Sequence, residues 1–154
     1  MAESTGCSIC QAVEVSDDAA AGIVYRDAHW IARTISPTPA VAGWLLLQAK
    51  RHIADSAELD AAESASLGSV LQRVSRAVRD VTGALRVYIG SLNEGNPHFH
   101  MHVLPRLPEM PNGAIGWNAF ALSGLAQRGE VRADPDQVRR TLSELHARLA
   151  PGGA

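Results

Sequence analysis

Three of the chain's six histidines lie at alternate positions in one short segment, residues 97–106. His98, His100 and His102 have apolar residues between them, which is the period-two pattern of a half-buried β-strand. The pattern predicts that the three imidazoles share one face of the strand, roughly 7 Å apart along it, and that the opposite face is core. A substrate lying over the histidine face would therefore contact several rings at once.

A row of histidines also has less demanding explanations. Histidine clusters bind metal ions, but ligands spaced along a line do not converge easily on one tetrahedral centre. A purification tag does not alternate histidine with phenylalanine, methionine and valine, as this segment does. The pattern therefore favours a catalytic or phosphate-binding role.

The segment resembles the signature of the histidine-triad (HIT) superfamily of nucleotide hydrolases and nucleotidyl transferases, in which apolar residues separate three histidines. The resemblance covers about residues 7 to 106. It continues backwards from the histidines through three short motifs and an N-terminal pair of cysteines: Asn93-Glu94-Gly95, Lys50-Arg51-His52, Ile35-Ser36-Pro37 and Cys7-Ser8-Ile9-Cys10. This implies a HIT-like fold, usually a homodimer.

The resemblance implies a two-step reaction. His100 would attack the α-phosphorus of a nucleotide conjugate and form a covalent nucleotidyl-histidine, which water or phosphate then cleaves. A ring that is neutral at pH 7 is suited to this attack. The carbonyl of His98 would hold the second ring nitrogen of His100, and His102 would bind a phosphate oxygen or help to protonate the leaving group. The expected substrate-binding residues are Asn93, Thr34 and Ile35.

Departures from the family pattern leave the substrate open. Gly43-Trp44 stands where many members have Gly-His, so an auxiliary fourth histidine is missing. Thr34 stands at the acidic or amide ribose contact, and Asn93 could equally be a turn residue. The alternatives to a hydrolase are therefore a nucleotide-binding or interaction module with little turnover, and a dinucleoside polyphosphate phosphorylase.

Cys7 and Cys10 form a C-x-x-C motif, which in a reducing compartment indicates metal binding or redox chemistry rather than a disulfide. A thioredoxin-like motif would follow a strand, and too few residues precede Cys7 for one. Half of a zinc site fits better, with two buried reduced thiols as the alternative, and His52 and His98 could complete a tetrahedral set. Some bacterial histidine-triad proteins resemble this arrangement, which implies structural zinc on Cys7, Cys10, His52 and His98.

Hydrophobic patterning predicts the elements that position these residues. Asp60 and Glu63 form a capping-box pattern at the start of a long helix that stops at Gly83, and Asp134-Pro135 starts an amphipathic C-terminal helix. Strands are predicted at residues 23–26, 30–35, 44–47, 86–90 and 97–106, the last two as an antiparallel hairpin. This order predicts an α+β fold, with an antiparallel sheet of about five strands and helices on one side.

Length and composition set the remaining expectations. With 154 residues and 46% hydrophobic content, the chain suits one globular domain. We expect a HIT domain over residues 1–106, with a C-terminal extension, residues 107–154, packed on it. The extension shows no periodicity before Asp134. Gly113, Gly116 and Trp117 could form a lid or contact a neighbouring subunit, but for Trp117 we favour a packing role.

Charge and hydropathy indicate which classes of binding partner the sequence favours. A net charge of -2 offers no basic surface for a nucleic-acid backbone. No apolar run approaches the ~20 residues of a membrane span, and the N-terminus lacks the pattern of a signal peptide. We therefore expect a cytoplasmic protein whose partner is a small nucleotide rather than a nucleic acid or a membrane, with no organic cofactor.

Overall fold

The computed structural model of the chain describes residues 6–15 and 21–150. Within these residues there are five β-strands, four α-helices and short 3-10 turns at residues 56–58, 112–114 and 116–121. The strands are β1 (Ile23–Arg26), β2 (Trp30–Thr34), β3 (Leu45–Ala49), β4 (Arg86–Gly90) and β5 (His100–Arg106). The helices are α1 (Ser8–Val13), α2 (Ala61–Thr82), α3 (Leu122–Gln127) and α4 (Pro135–Leu149).

The five strands form one antiparallel sheet in the order β1-β2-β3-β5-β4. The α+β class and the five-stranded sheet predicted from the sequence are confirmed. β4 and β5 form the predicted hairpin, in which Gly90 pairs with His102. Because β5 lies between β3 and β4, both neighbouring strands flank its histidines.

The histidine strand is shorter than the sequence predicts. The alternating pattern begins at Pro97, but β5 begins at His100. The N–H of His98 donates to the carbonyl of Asn96, only two residues earlier, at 2.7 Å. This tight turn replaces the strand ladder there, so the prediction is wrong at the start of the strand and His98 lies before β5.

One face of the sheet packs against α2 and α4 and forms the main core. Trp30, Leu47 and Val103 on the strands are fully buried against Val74 of α2 and Leu145 of α4. Phe99 and Met101, which separate the three histidines, belong to the same core. The predicted alternation therefore turns the apolar residues of the histidine segment inwards.

The start of α2 is tied to the segment that carries His52. The predicted capping box is present: Asp60 accepts from the N–H of Glu63 at 2.8 Å, and the Glu63 carboxylate accepts from the N–H of Asp60 at 2.9 Å. Arg51 donates two further hydrogen bonds to that carboxylate, at 3.0 and 2.6 Å. The helix ends at Gly83, which has the left-handed φ of 67° that glycine adopts freely.

The C-terminal part of the chain packs on both faces of the sheet, so the prediction of helices on one side is wrong: α4 shares a face with α2, and α3 lies on the other face. Residues 107–127 form a second apolar cluster with Trp44 and with Leu104 of β5. Their two 3-10 turns and α3 are too short to produce a helical stripe, which is why the sequence shows no periodicity there. Trp117 is 80% exposed, so the prediction that it packs is wrong, and Phe120 occupies the place over the sheet instead.

α4 begins as the sequence predicts. The side chain of Asp134 accepts from the N–H of Gln137 at 2.8 Å, and Pro135 is in the first turn. The helix packs on α2 and β1, and Arg73 of α2 donates to the carbonyl of Leu149 at 2.9 Å. Among the residues described, no helix has both the length and the hydrophobicity to cross a membrane.

Candidate active site and metal centre

His100 is held by its own strand. Its Nδ1 lies 2.7 Å from the carbonyl oxygen of His98. Because a carbonyl only accepts, Nδ1 must carry the proton. Within the described residues Nε2 has no hydrogen-bond partner, and the residue is 8% exposed. Burial, with a smaller contribution from the positive charge of Arg33, lowers the pKa of His100. The ring is therefore neutral at pH 7, with its lone pair on Nε2.

His102 lies two residues along the same face, with its ring centroid 5.6 Å from that of His100. The indole Nε1 of Trp44 lies 3.2 Å from Nδ1 of His102. The rings of Trp44 and Phe120 meet the imidazole edge to face, at centroid distances of 5.7 and 5.9 Å. Burial, and to a lesser extent His100, lowers the pKa of His102 to about 4. This ring is also neutral at pH 7.

The ring of His98 has a different environment. Its Nε2 lies 2.7 Å from the carbonyl oxygen of Ala49, and its Nδ1 lies 3.5 and 3.4 Å from the sulfurs of Cys7 and Cys10. Both ring nitrogens are therefore engaged away from a substrate. His98 contacts His100 through its backbone carbonyl, so His100 and His102 provide the imidazoles over the strand face.

The three expected substrate-binding residues have unequal positions. Asn93 adopts a positive φ of 48° at the turn before β5, and its Oδ1 accepts from the backbone N–H of His100 at 3.4 Å. Ile35 is half-buried and lines a cavity of about 190 Å³ together with Trp44. The hydroxyl of Thr34 donates to the carbonyl of Ser36 at 2.8 Å, and Thr34 is 8% exposed. Asn93 is thus beside the histidines, whereas the Thr34 hydroxyl is already used.

Gln48 and Arg33 also belong to the site, and the sequence reasoning did not identify them. Gln48 pairs with His100 across β3 and β5. Its Oε1 accepts from Nε of Arg33 at 2.9 Å, while its buried Nε2 has no partner among the residues the structure describes. The available signal was a glutamine continuing the apolar run of residues 44–47, where a fully buried strand has no need of an amide.

The four residues expected to bind zinc come together from three parts of the chain. Cys7 and Cys10 lie at the start of α1, His52 follows β3, and His98 precedes β5. One donor atom from each lies within 4.8 Å of all the others. The three sulfur-to-nitrogen contacts are 3.2, 3.4 and 3.5 Å. They form a candidate metal-binding site, as predicted.

The donor set fits zinc. Bonds of about 2.3 Å to sulfur and 2.0 Å to nitrogen, at tetrahedral angles, place sulfur and nitrogen about 3.5 Å apart. The Nε2–H of His98 donates to Ala49, which leaves Nδ1 as the ligand atom and fixes the ring. Burial and the neighbouring Cys7 raise the pKa of Cys10 to about 11. A cation would offset this by favouring the thiolates that bind it.

Comparisons with known proteins agree with this geometry. The sequence pattern of one family, described as HIT domain, matches residues 17–109, more than half of the chain. No curated protein sequence matches the chain. Among solved structures, a Zn-bound histidine triad family protein from Mycobacterium smegmatis is 23% identical, with a TM-score of 0.67 and 96% of each chain covered.

Two further structures share the fold. A Hit-like protein involved in cell-cycle regulation from Bartonella henselae is 16% identical, with a TM-score of 0.67, covering 95% of this chain and 98% of its own. A hypothetical histidine triad nucleotide-binding protein from Sulfolobus tokodaii is 18% identical, with a TM-score of 0.59, covering 93% and 96%. With the family pattern, the antiparallel sheet and the histidine segment in agreement, the chain belongs to the HIT domain family, as its sequence predicted.

Proposed function

We propose that the chain hydrolyses nucleotide conjugates at the α-phosphorus through a covalent nucleotidyl-histidine on His100. The observation that carries this proposal is the state of one ring. Nδ1 of His100 donates to the carbonyl of His98 at 2.7 Å, and Nε2 is free of partners in the described part of the chain. A neutral imidazole anchored in this way offers its lone pair on Nε2, which is the nucleophilic form.

Both steps of the reaction balance with these residues. In the first, a bond forms between Nε2 of His100 and the α-phosphorus, and the leaving group departs with the electron pair of its broken bond. The attacking ring becomes positive, and the carbonyl of His98 stabilises that charge at Nδ1–H. In the second, water attacks the phosphorus, the P–N bond breaks, and a nucleoside monophosphate and a proton are released. His102 would bind a phosphate oxygen in both steps.

The neighbouring side chains support a nucleotide as substrate. Asn93, whose amide oxygen holds the backbone of His100, would set the position of the nucleophile and bind phosphate at the turn. Ile35 would contact the nucleoside from the wall of its cavity, and Thr34 would lie near the ribose. The Sulfolobus tokodaii structure is described as a nucleotide-binding protein, which adds support from a distant relative.

Zinc would have a structural role. Cys7, Cys10, His52 and His98 would hold it with four protein ligands, which leaves no open position for water or substrate. The ion would tie α1 to the start of β5. It would thereby fix His98, whose carbonyl anchors the nucleophile.

We further infer that the protein works as a homodimer in the cytoplasm. β4 is an edge strand with Leu85 before it and Ile89 on it, which are 62% and 39% exposed, and such an edge can pair with a second copy. Two free cysteines suit a reducing compartment. Sedimentation equilibrium should give twice the chain mass of 16.4 kDa. A single-chain mass at micromolar concentration would contradict the dimer.

A substrate screen tests the proposed reaction. Zinc-loaded protein is incubated with dinucleoside polyphosphates, nucleoside phosphoramidates and nucleoside diphosphate derivatives, and nucleoside monophosphate is measured. We expect His100→Ala to lose at least about 10³-fold in kcat. His146→Ala, which changes a histidine of α4, should retain wild-type turnover.

The screen also separates the alternatives. Equal turnover by wild type and His100→Ala would contradict the covalent reaction. Added inorganic phosphate that diverts the product to a nucleoside diphosphate would identify a phosphorylase. Binding without turnover of any conjugate would identify a nucleotide-binding module.

A further inference from the structure

Trp44 stands immediately before β3 and is 1% exposed. Its indole nitrogen lies 3.2 Å from Nδ1 of His102, although the two residues are 58 positions apart in the chain. An indole N–H can only donate, so Nδ1 of His102 must be the acceptor in this contact. The single proton of the neutral ring then lies on Nε2.

We propose that Trp44 is a positioning residue that holds His102 as the neutral Nε2–H tautomer. Resting on the proposed function, this inference makes His102 a hydrogen-bond donor to a phosphate oxygen and excludes it as a nucleophile, because neither ring nitrogen presents a free lone pair to the substrate. His102 therefore does not compete with His100 for the phosphorus. A second proton on His102 would point the N–H of Nδ1 at the indole N–H, which the contact opposes.

Packing holds the orientation as well as the tautomer. The rings of Trp44, His102 and Phe120 contact one another pairwise, at centroid distances of 5.7, 5.9 and 6.4 Å. Phe120 belongs to the C-terminal extension, residues 107–154, and also lies against Gly90, the strand partner of His102. Rotation of the imidazole about its side-chain bonds would break both ring contacts and the hydrogen bond. The imidazole is therefore fixed from both sides.

The residue type at position 44 matters for this role. An imidazole can donate or accept depending on its own tautomer, so a histidine there would leave two arrangements of the pair available. The indole allows one. The protein thus obtains from a tryptophan a donor whose direction does not depend on pH.

Nitrogen NMR of zinc-loaded protein labelled with 15N-histidine tests the inference without turnover. Long-range proton–nitrogen spectra distinguish a protonated from an unprotonated ring nitrogen. In the wild type we expect Nδ1 of His102 to be unprotonated and Nε2 protonated at pH 7. Protonation at Nδ1 in the wild type would overturn the proposal, and this readout depends on no variant folding correctly.

Variants add a kinetic readout. Trp44→Phe keeps an aromatic ring and removes the N–H, so His102 should populate both tautomers and kcat should fall about tenfold, the equivalent of one hydrogen bond. Trp44→His should recover part of the loss, and Trp117→Phe, which changes an exposed tryptophan, should change neither readout. An unchanged tautomer and kcat in folded Trp44→Phe would overturn the proposal. An inactive wild type with the expected tautomer would contradict the hydrolase function while supporting the role of Trp44.

Discussion

Replacing Gly90 by alanine tests the contact between the C-terminal extension and the strand beside the histidines. A Cβ at position 90 would lie 2.9 Å from Cζ and 3.1 Å from Cε1 of Phe120, whereas carbon atoms pack at about 3.5 to 4.0 Å. The ring of Phe120 would therefore have to move by roughly 0.5 to 1 Å. Because the ring is the end of a side chain, we expect Gly90→Ala to cost about 1 kcal/mol, the low end for overpacking.

Urea unfolding measures this cost, and a double-mutant cycle assigns it. In a Phe120→Ala background the added methyl group meets no ring, so Gly90→Ala should cost nothing further and the coupling free energy should be about 1 kcal/mol. Gly68→Ala is the matched control, because a Cβ at that position of α2 meets no atom within 4 Å. It should stabilise the helix by roughly 0.5 to 1 kcal/mol.

Activity should follow the same cycle. Phe120 contacts His102, so its displacement by Gly90→Ala should lower kcat, and the fold of residues 107–127 should loosen together with the site. Additive free energies for Gly90→Ala and Phe120→Ala would refute the reasoning. They would also count against the proposal that residues 107–154 fold as an extension of the same domain.

Three further predictions follow from the contacts at the edges of the site. The purified protein should contain one zinc ion per chain, and Cys10→Ser should bind none. With free zinc at 100 times Kd, the loss of zinc binding should lower the free energy of unfolding by about 2.7 kcal/mol. A melting temperature that does not change in excess chelator would contradict this. Arg51 lowers the pKa of Glu63 from its ordinary 4.5, so the pair stabilises the fold above that pH and stops doing so as the pH falls through the lowered pKa. Glu63→Gln should cost about 2 kcal/mol of unfolding free energy at pH 7 and less in acid. Equal denaturant midpoints for the wild type and Glu63→Gln at neutral pH would rule this out. Because His102 is neutral and cannot protonate an amine, phosphoanhydride conjugates should be cleaved roughly 10²-fold faster than phosphoramidates at pH 7. The test compares kcat/KM for one nucleoside with both leaving groups, and equal values would contradict the prediction.

Local patterns were sufficient for the five strands and for α2 and α4, but not for the short helices α1 and α3. Asp60 and Glu63 occur at capping-box spacing, and the structure shows both of their hydrogen bonds. The run at residues 44–47 is short and apolar, and it lies in β3 or directly before it. These signals depend on residues within one turn or one strand, so a single sequence carries them completely.

Contacts between distant residues could not be predicted in the same way. Alternation at residues 97–106 gives no information on the turn between Asn96 and His98, after which β5 begins at His100. The hydrogen bond from Trp44 to His102 depends on the pairing of β3 with β5. The sequence shows that position 44 is not a histidine. Only the fold shows that the indole of Trp44 lies within hydrogen-bond distance of the His102 ring.

The zinc ligands are the instructive exception. A C-x-x-C spacing and two histidines far along the chain carry no distance information by themselves, yet the four donor atoms converge. The resemblance to bacterial histidine-triad proteins supplied the pairing of Cys7 and Cys10 with His52 and His98. The chemistry of the residues supplied the type of metal and offered the two histidines as candidate ligands.

The central claim is that Nε2 of His100 forms a covalent bond to phosphorus during turnover. Incubation with a labelled adenosine conjugate, an alkaline quench and mass spectrometry of the digested protein test it directly, because phosphorus–nitrogen bonds to histidine survive alkali. We expect the mass of an adenylyl group on the peptide that contains His100 and no adduct in His100→Ala. Wild-type protein that turns over the conjugate with no adduct at His100, or with the adduct on His102, would contradict the account.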